Sequence, residues 1–156
     1  MNCITGRVCP GTVVKKLPWQ RDKQSQYIVS LVEEVLASRL DANVIVLGDL
    51  NDYLDSDPVI NLSANNLSNL LERVEKPSRY TYIYQGVSQV LDHILVRLEP
   101  GLLAIEIIPT HINSDFPIAY KSMNDTAHRS SDHDPVFVQF VFNGHLTFMS
   151  LIYNYR

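Results

Sequence analysis

Cysteine is nearly absent from this chain. Its 156 residues include two, Cys3 and Cys9, both within the first ten positions. No histidine stands near them, so they make a poor zinc site. They read either as a small local disulfide, if the protein is exported, or as two free thiols. Basic charge is also short: 13 Lys and Arg against 17 Asp and Glu leave a net charge of -4. That balance argues against a protein that coats nucleic acid through wide electrostatic contact, since such proteins are usually basic. An acidic chain can still handle phosphodiesters if a divalent cation supplies the positive charge. No apolar run is long enough to cross a bilayer. Met1–Gly6 lacks the basic start and apolar core of a signal peptide. There is no internal repeat and no low-complexity tract.

What remains is an ordinary one-domain composition. The 46% hydrophobic content supplies a sizeable core, and the 19% charged fraction argues against disorder. Residues 1–20 hold Cys3, Gly6, Cys9, Pro10, Gly11 and Pro18, which is loop chemistry with one short extended piece at Thr12–Val14. From Arg21 to Leu40, Ile28, Leu31, Val32, Val35, Leu36 and Leu40 recur at three- and four-residue spacing. This predicts an amphipathic helix over a sheet face. Val44-Ile-Val-Leu47 then runs into Gly48, Asp49, Asn51 and Asp52. The continuous apolar run predicts a strand buried on both faces. Polar groups at its carboxyl end either merely turn the chain or stand where an open α/β sheet places chemistry.

Further on, Asp57-Pro58 predicts a helix start, with a short helix over Val59–Leu62. Leu67, Leu70 and Leu71 are expected to plug the core. Arg79–Gln85 alternates, with Tyr80, Tyr82 and Tyr84 on one face, and Gly86 supplies a turn. Gln89–Leu98 reads as the second strand of a hairpin. Leu102–Ile108 and Pro135–Phe142 are further strands, and His145–Tyr153 offers one more. The long polar stretch from Pro109 to Ser131 is of the kind that is often functional.

Asp92 lies within an apolar strand, where an unpaired carboxylate costs roughly several kcal/mol. It therefore needs a partner or a function. Together, Asp49 with Asn51, Asp92, and Asp132 with His133 suit hard-metal, phosphate-directed chemistry. Oxygen ligands hold Mg²⁺ or Ca²⁺. The amide can orient a phosphate or a water, and the imidazole can move a proton.

Val44-Ile-Val-Leu-Gly-Asp-Leu-Asn-Asp52, Leu91-Asp-His-Ile-Leu95 and Ser131-Asp-His-Asp-Pro135 resemble the last three motifs of the endonuclease/exonuclease/phosphatase superfamily. That superfamily includes the pancreatic-type deoxyribonucleases, the apurinic endonucleases and the sphingomyelinases. Thr110–Pro117 and His128–Ser131 look closest to its secreted bacterial nucleases, which implies an extracellular setting. The resemblance implies metal-dependent phosphodiester hydrolysis with Mg²⁺, or Ca²⁺ or Mn²⁺ in its place. Asp49 would position or activate the attacking water or stabilise the in-line transition state, Asn51 would hold the scissile phosphate, and Asp92 would pair with and orient His133. His133 would act on the phosphate, and Asp132 and Asp49 would bind the metal. The implied fold is α/β: half of a four-layer sandwich, with a mixed, mostly antiparallel sheet and flanking helices. Its substrate would be nucleic acid or another phosphodiester. A phosphatase or a sphingomyelinase-like hydrolase is the alternative.

Other polar residues are expected to be structural. His93 should face away from Asp92. His111, Asn113 and Asp115 read as a hydrogen-bonded loop ahead of a groove or second-ion site, and Asp52 and Asp55 as loop-ordering groups. The tyrosines read as a core or hairpin face ahead of a base-stacking surface.

The family's early asparagine, metal-binding glutamate and second histidine have no match here. The sequence therefore divides into a loop-like remnant at 1–20, the C-terminal half of the domain at 21–142, and a tail at 143–156. Half a sandwich should leave an apolar sheet face bare. The expectation is a chain that needs the other half of its domain or self-associates through that face, and is weakly active or inactive alone. A silent remnant acting as an interaction module is the competing expectation.

Overall fold

Pro18 opens the first helix, where its missing N–H and fixed φ cost least. The computed structural model describes residues 18–142 and 145–150. Cys3, Cys9 and the extended piece expected at Thr12–Val14 lie outside the described residues. Helix α1 runs over Pro18–Ser38, and strand β1 over Val44–Asp49. Helix α2 spans Asp57–Ala64, with Pro58 in its first turn. Strand β2 is Ser68–Asn69, followed by a 3-10 turn at Leu70–Arg73. Strands β3 (Tyr82–Tyr84), β4 (Val87–Gln89), β5 (Asp92–Arg97) and β6 (Leu102–Pro109) follow. The last two are β7 (Val136–Phe142) and β8 (His145–Ser150).

The strands form two three-stranded sheets, β1-β5-β2 and β6-β7-β8, plus the separate hairpin β3-β4, all antiparallel. Side-chain alternation explains the layers. On β5, Leu95 points to α1 and α2, where it is buried with Val32, Leu62 and Leu67 against Val44 and Val46. Ile94 and Val96 point the other way. They are buried with Ala104, Val136, Val138 and Phe140 of the second sheet, and with Leu70 and Leu71. The result is an α/β arrangement of helices, sheet and sheet. Leu67, Leu70 and Leu71 plug the core as expected.

Four expectations change. Among the described residues the strand buried on both faces is β5. Strand β1 lies outside it, and Leu47 is 45% exposed. The stretch Gln89–Leu98 is not one strand, because Leu91 N–H and Asp92 N–H both reach the Thr81 hydroxyl. The chain switches there from the hairpin to the first sheet. On α1, Ile28, Val29, Val32 and Leu36 face the core, whereas Leu31 and Val35 are exposed, as is Leu40 beyond the helix end. Finally, the inner face of the first sheet is not bare, because β6 and β7 cover Ile94 and Val96. Exposed apolar side chains instead sit on β6, at Leu103, Ile105 and Ile108.

Candidate active site

Antiparallel register brings the first two acids together. Asp49 ends β1, Asp92 begins β5, and the two are directly opposed. Opposed side chains of an antiparallel pair share a face and lie within contact reach. Like charges in that position repel, so the pair calls for a compensating cation or donor. His133 supplies one: its Nδ1–H donates to Asp92 Oδ2 at 2.7 Å. One donor atom each from Asp49, Asp92 and His133 lies within 4.8 Å of the others. The group sits on the side of β1 and β5 that faces the second sheet, where the three chain segments converge.

Asn51 is held beside Asp49. Its backbone N–H donates to Asp49 Oδ1 at 2.8 Å and its side-chain amide to Oδ2 at 2.9 Å. Its φ of 52° is left-handed, a conformation asparagine tolerates better than most residues. Asp132 is exposed and outside the three-residue donor group, although its charge acts on His133. Burial pulls the His133 pKa down. The Asp92 hydrogen bond and charge, joined by Asp49 and Asp132, outweigh it and hold the imidazole above its ordinary value of 6.5.

His93 faces away from this group, as expected. Leu71 N–H donates to Asn69 Oδ1, which turns the Asn69 amide nitrogen toward His93 Nδ1 at 2.9 Å. His93 Nε2–H therefore donates to the Asp52 carbonyl at 2.8 Å. Burial lowers the His93 pKa, in keeping with a neutral ring. Asp52 also pairs with Arg21 Nε at 2.7 Å, and Arg21 Nη1 donates to the Asn51 carbonyl at 3.2 Å. A cleft of about 330 Å³ opens behind this turn, lined by Arg21, Gln24, Tyr27, Ile28 and Asn51 among others.

His111, Asn113 and Asp115 form a hydrogen-bonded loop, as the sequence suggested, but its partners Asp134 and Ser114 were not evident from sequence. Asp134 is buried and accepts from Asn113 N–H, Ser114 N–H and the Ser114 hydroxyl. The Asn113 side chain donates to the His133 carbonyl at 2.7 Å. The loop residues Asn113 and Ser114 thus grip the segment that carries His133. His111 Nδ1 lies 3.5 Å from Asp134 Oδ2, and its ring stacks on Tyr80. Tyr80 donates to Asp115, and its pKa is pushed up to about 12 by burial and by that carboxylate. Tyr82 forms a β-bridge with His133 and stacks on its ring at 4.6 Å. The only sequence signal for Tyr82 was the alternation of tyrosines. Asp134 had none beyond its place in the Ser131–Pro135 motif.

The two opposed carboxylates offer oxygen atoms of the kind that hold a hard divalent cation, whereas the His133 imidazole is tied by its Nδ1–H to Asp92. Among known proteins, the model of the Endonuclease/Exonuclease/phosphatase family matches residues 2–133. A comparison with curated proteins found no match.

Proposed function

Because this chain belongs to the endonuclease/exonuclease/phosphatase family, we propose that it hydrolyses phosphodiesters, in a nuclease-like reaction centred on Asp49, Asn51, Asp92, Asp132 and His133. The observation that carries the reading is the His133–Asp92 hydrogen bond beside Asp49. In this reading Asp49 orients a water and takes its proton as the oxygen attacks phosphorus. Asn51, fixed by its bonds to Asp49, holds a non-bridging oxygen. Asp92 favours the protonated form of His133, and protonated His133 gives its Nε2 proton to the leaving oxygen as the bond from that oxygen to phosphorus breaks. Asp49 and Asp132 would hold Mg²⁺ or Mn²⁺, which when bound polarises the phosphoryl oxygen.

Turnover by the chain alone is expected to be slow. With Asp92 committed to His133, few carboxylates remain for an octahedral ion, which must keep much of its water shell. The test is hydrolysis of bis(p-nitrophenyl) phosphate and of plasmid DNA in Mg²⁺ or Mn²⁺. His133→Ala should cost about 100- to 10,000-fold in rate, the range for losing a positioned acid–base group. Wild-type rates no higher than those of the variant would sink the reading in favour of a silent interaction module.

A further inference from the structure

The β3-β4 hairpin spends its aromatic residues in an unusual place. It joins neither three-stranded sheet, so its tyrosines are not needed to seal a sheet face. An isolated two-stranded hairpin is marginal unless anchored, and this one is tied down at its base. Thr81 N–H donates to the Gln89 carbonyl, Asp134 N–H donates to the Thr81 carbonyl, and Tyr82 bridges to His133. At the other end Gln85 and Gly86 both take positive φ, as a tight two-residue turn requires. The hairpin is therefore a short, firmly rooted arm beside the reaction centre.

Along that arm the rings stack in series. His133 stacks on Tyr82 with centroids 4.6 Å apart, and Tyr82 stacks on Tyr84 at 6.3 Å. Interplanar angles are 27° and 16°, so successive rings lie nearly parallel. Tyr84 is 45% exposed, and Val87, opposite it in register, is 60% exposed. An exposed aromatic face that continues the stack from the reacting group is a surface on which an unpaired base can lie while a phosphate further along the same strand reaches His133. The net charge of -4 points the same way. A chain without a basic excess gains little from the phosphates of a duplex, whereas stacking requires no positive charge.

We propose that the Tyr82–Tyr84 arm is a base-stacking platform for single-stranded nucleic acid, which makes an unpaired strand the substrate class of the site. The proposal rests on the reading of His133 as the reaction centre, but it is tested without hydrolysis. Labelled oligothymidylate is titrated with the full chain in EDTA at low salt and followed by fluorescence anisotropy. An abasic oligomer of equal length and a duplex run alongside.

Wild type should bind oligothymidylate more tightly than either control. Tyr84→Ala should weaken that binding by about 5- to 150-fold, the range for loss of one base–aromatic stack. Tyr84→Phe, which keeps the ring, should bind as wild type. Tyr84→Leu, which keeps bulk without the ring, should match Tyr84→Ala and guards against a folding artefact. Equal affinity for the abasic and base-bearing strands would overturn the platform, as would wild-type affinity in Tyr84→Ala. Tyr84-dependent binding to phosphatidylcholine vesicles with none to oligothymidylate would overturn it too, and assign the arm to lipid. None of these results touches the hydrolytic reading, which stands or falls on His133→Ala with a diester that has no base.

Discussion

Asp92 is nearly inaccessible, yet it carries a carboxylate at the start of a strand whose middle, Ile94 to Val96, is apolar and buried. Its place is tolerable because His133 donates to it and because Thr81 fixes the backbone on which it rides. The same contact sets the charge of His133, which gives a pH prediction. His133 is raised in the folded chain, so its pairing stabilises the fold fully below the unfolded imidazole value of 6.5. That stabilisation is lost as pH rises through the higher folded value. In Asp92→Asn the amide no longer offers a charge, so burial meets less opposition and the His133 pKa should fall from its wild-type value. Proton NMR titration of the His133 ring in metal-free protein checks this. An unchanged midpoint in Asp92→Asn would remove Asp92 as the group that tunes the histidine. Residues of this kind were legible in the sequence, because a charge inside an apolar run must be paired. Asp134 was not, since a carboxylate that binds two loop N–H groups and a serine hydroxyl looks in sequence like any turn acid.

At the scale of elements, the helices and most strands followed from periodicity and punctuation. Pro58 marked α2 and Gly86 the hairpin turn. The break between β4 and β5 did not follow, because a hydroxyl ten residues upstream makes it. Nor did the rank of β1 and β5, since sheet order is a long-range property that an apolar run does not record. A tie between elements that sequence also hid is Arg21, which links the first turn of α1 to the turn after β1. It pairs with Asp52 and donates to the Asn51 carbonyl, beside an open cleft. Arg21→Gln should cost about 1.5–3 kcal/mol in urea unfolding, the scale of hydrogen bonds to a charged group. Hydrogen exchange adds the local signature: Asn51 N–H, bonded to Asp49, should lose more protection than the core amides of β5. A uniform fall across the chain would mean that Arg21 supports the fold in general and not the Asn51 turn.

For the whole molecule, the deciding quantity is how firmly the convergent acids hold a cation. Asp49 and Asp92 face one another across β1 and β5, and bringing them together costs the folded chain electrostatic free energy that the unfolded chain does not bear. A divalent ion that binds the folded state alone returns some of it, so metal should raise the melting temperature. At a free concentration 100 times its dissociation constant, the gain is about 2.7 kcal/mol, or roughly 5–11 °C if the chain melts like other domains of 150–250 residues. The expected binding is weak, so the shift should need Mg²⁺ or Mn²⁺ well above micromolar levels and should vanish with EDTA. Asp49→Asn removes the charge that both repels Asp92 and attracts the ion. That variant should melt no lower than wild type without metal and should lose the metal-dependent rise. Differential scanning fluorimetry with and without Mn²⁺ separates the two effects. A full metal shift in Asp49→Asn would place the ion elsewhere in the chain and leave the carboxylate pair as a structural contact alone.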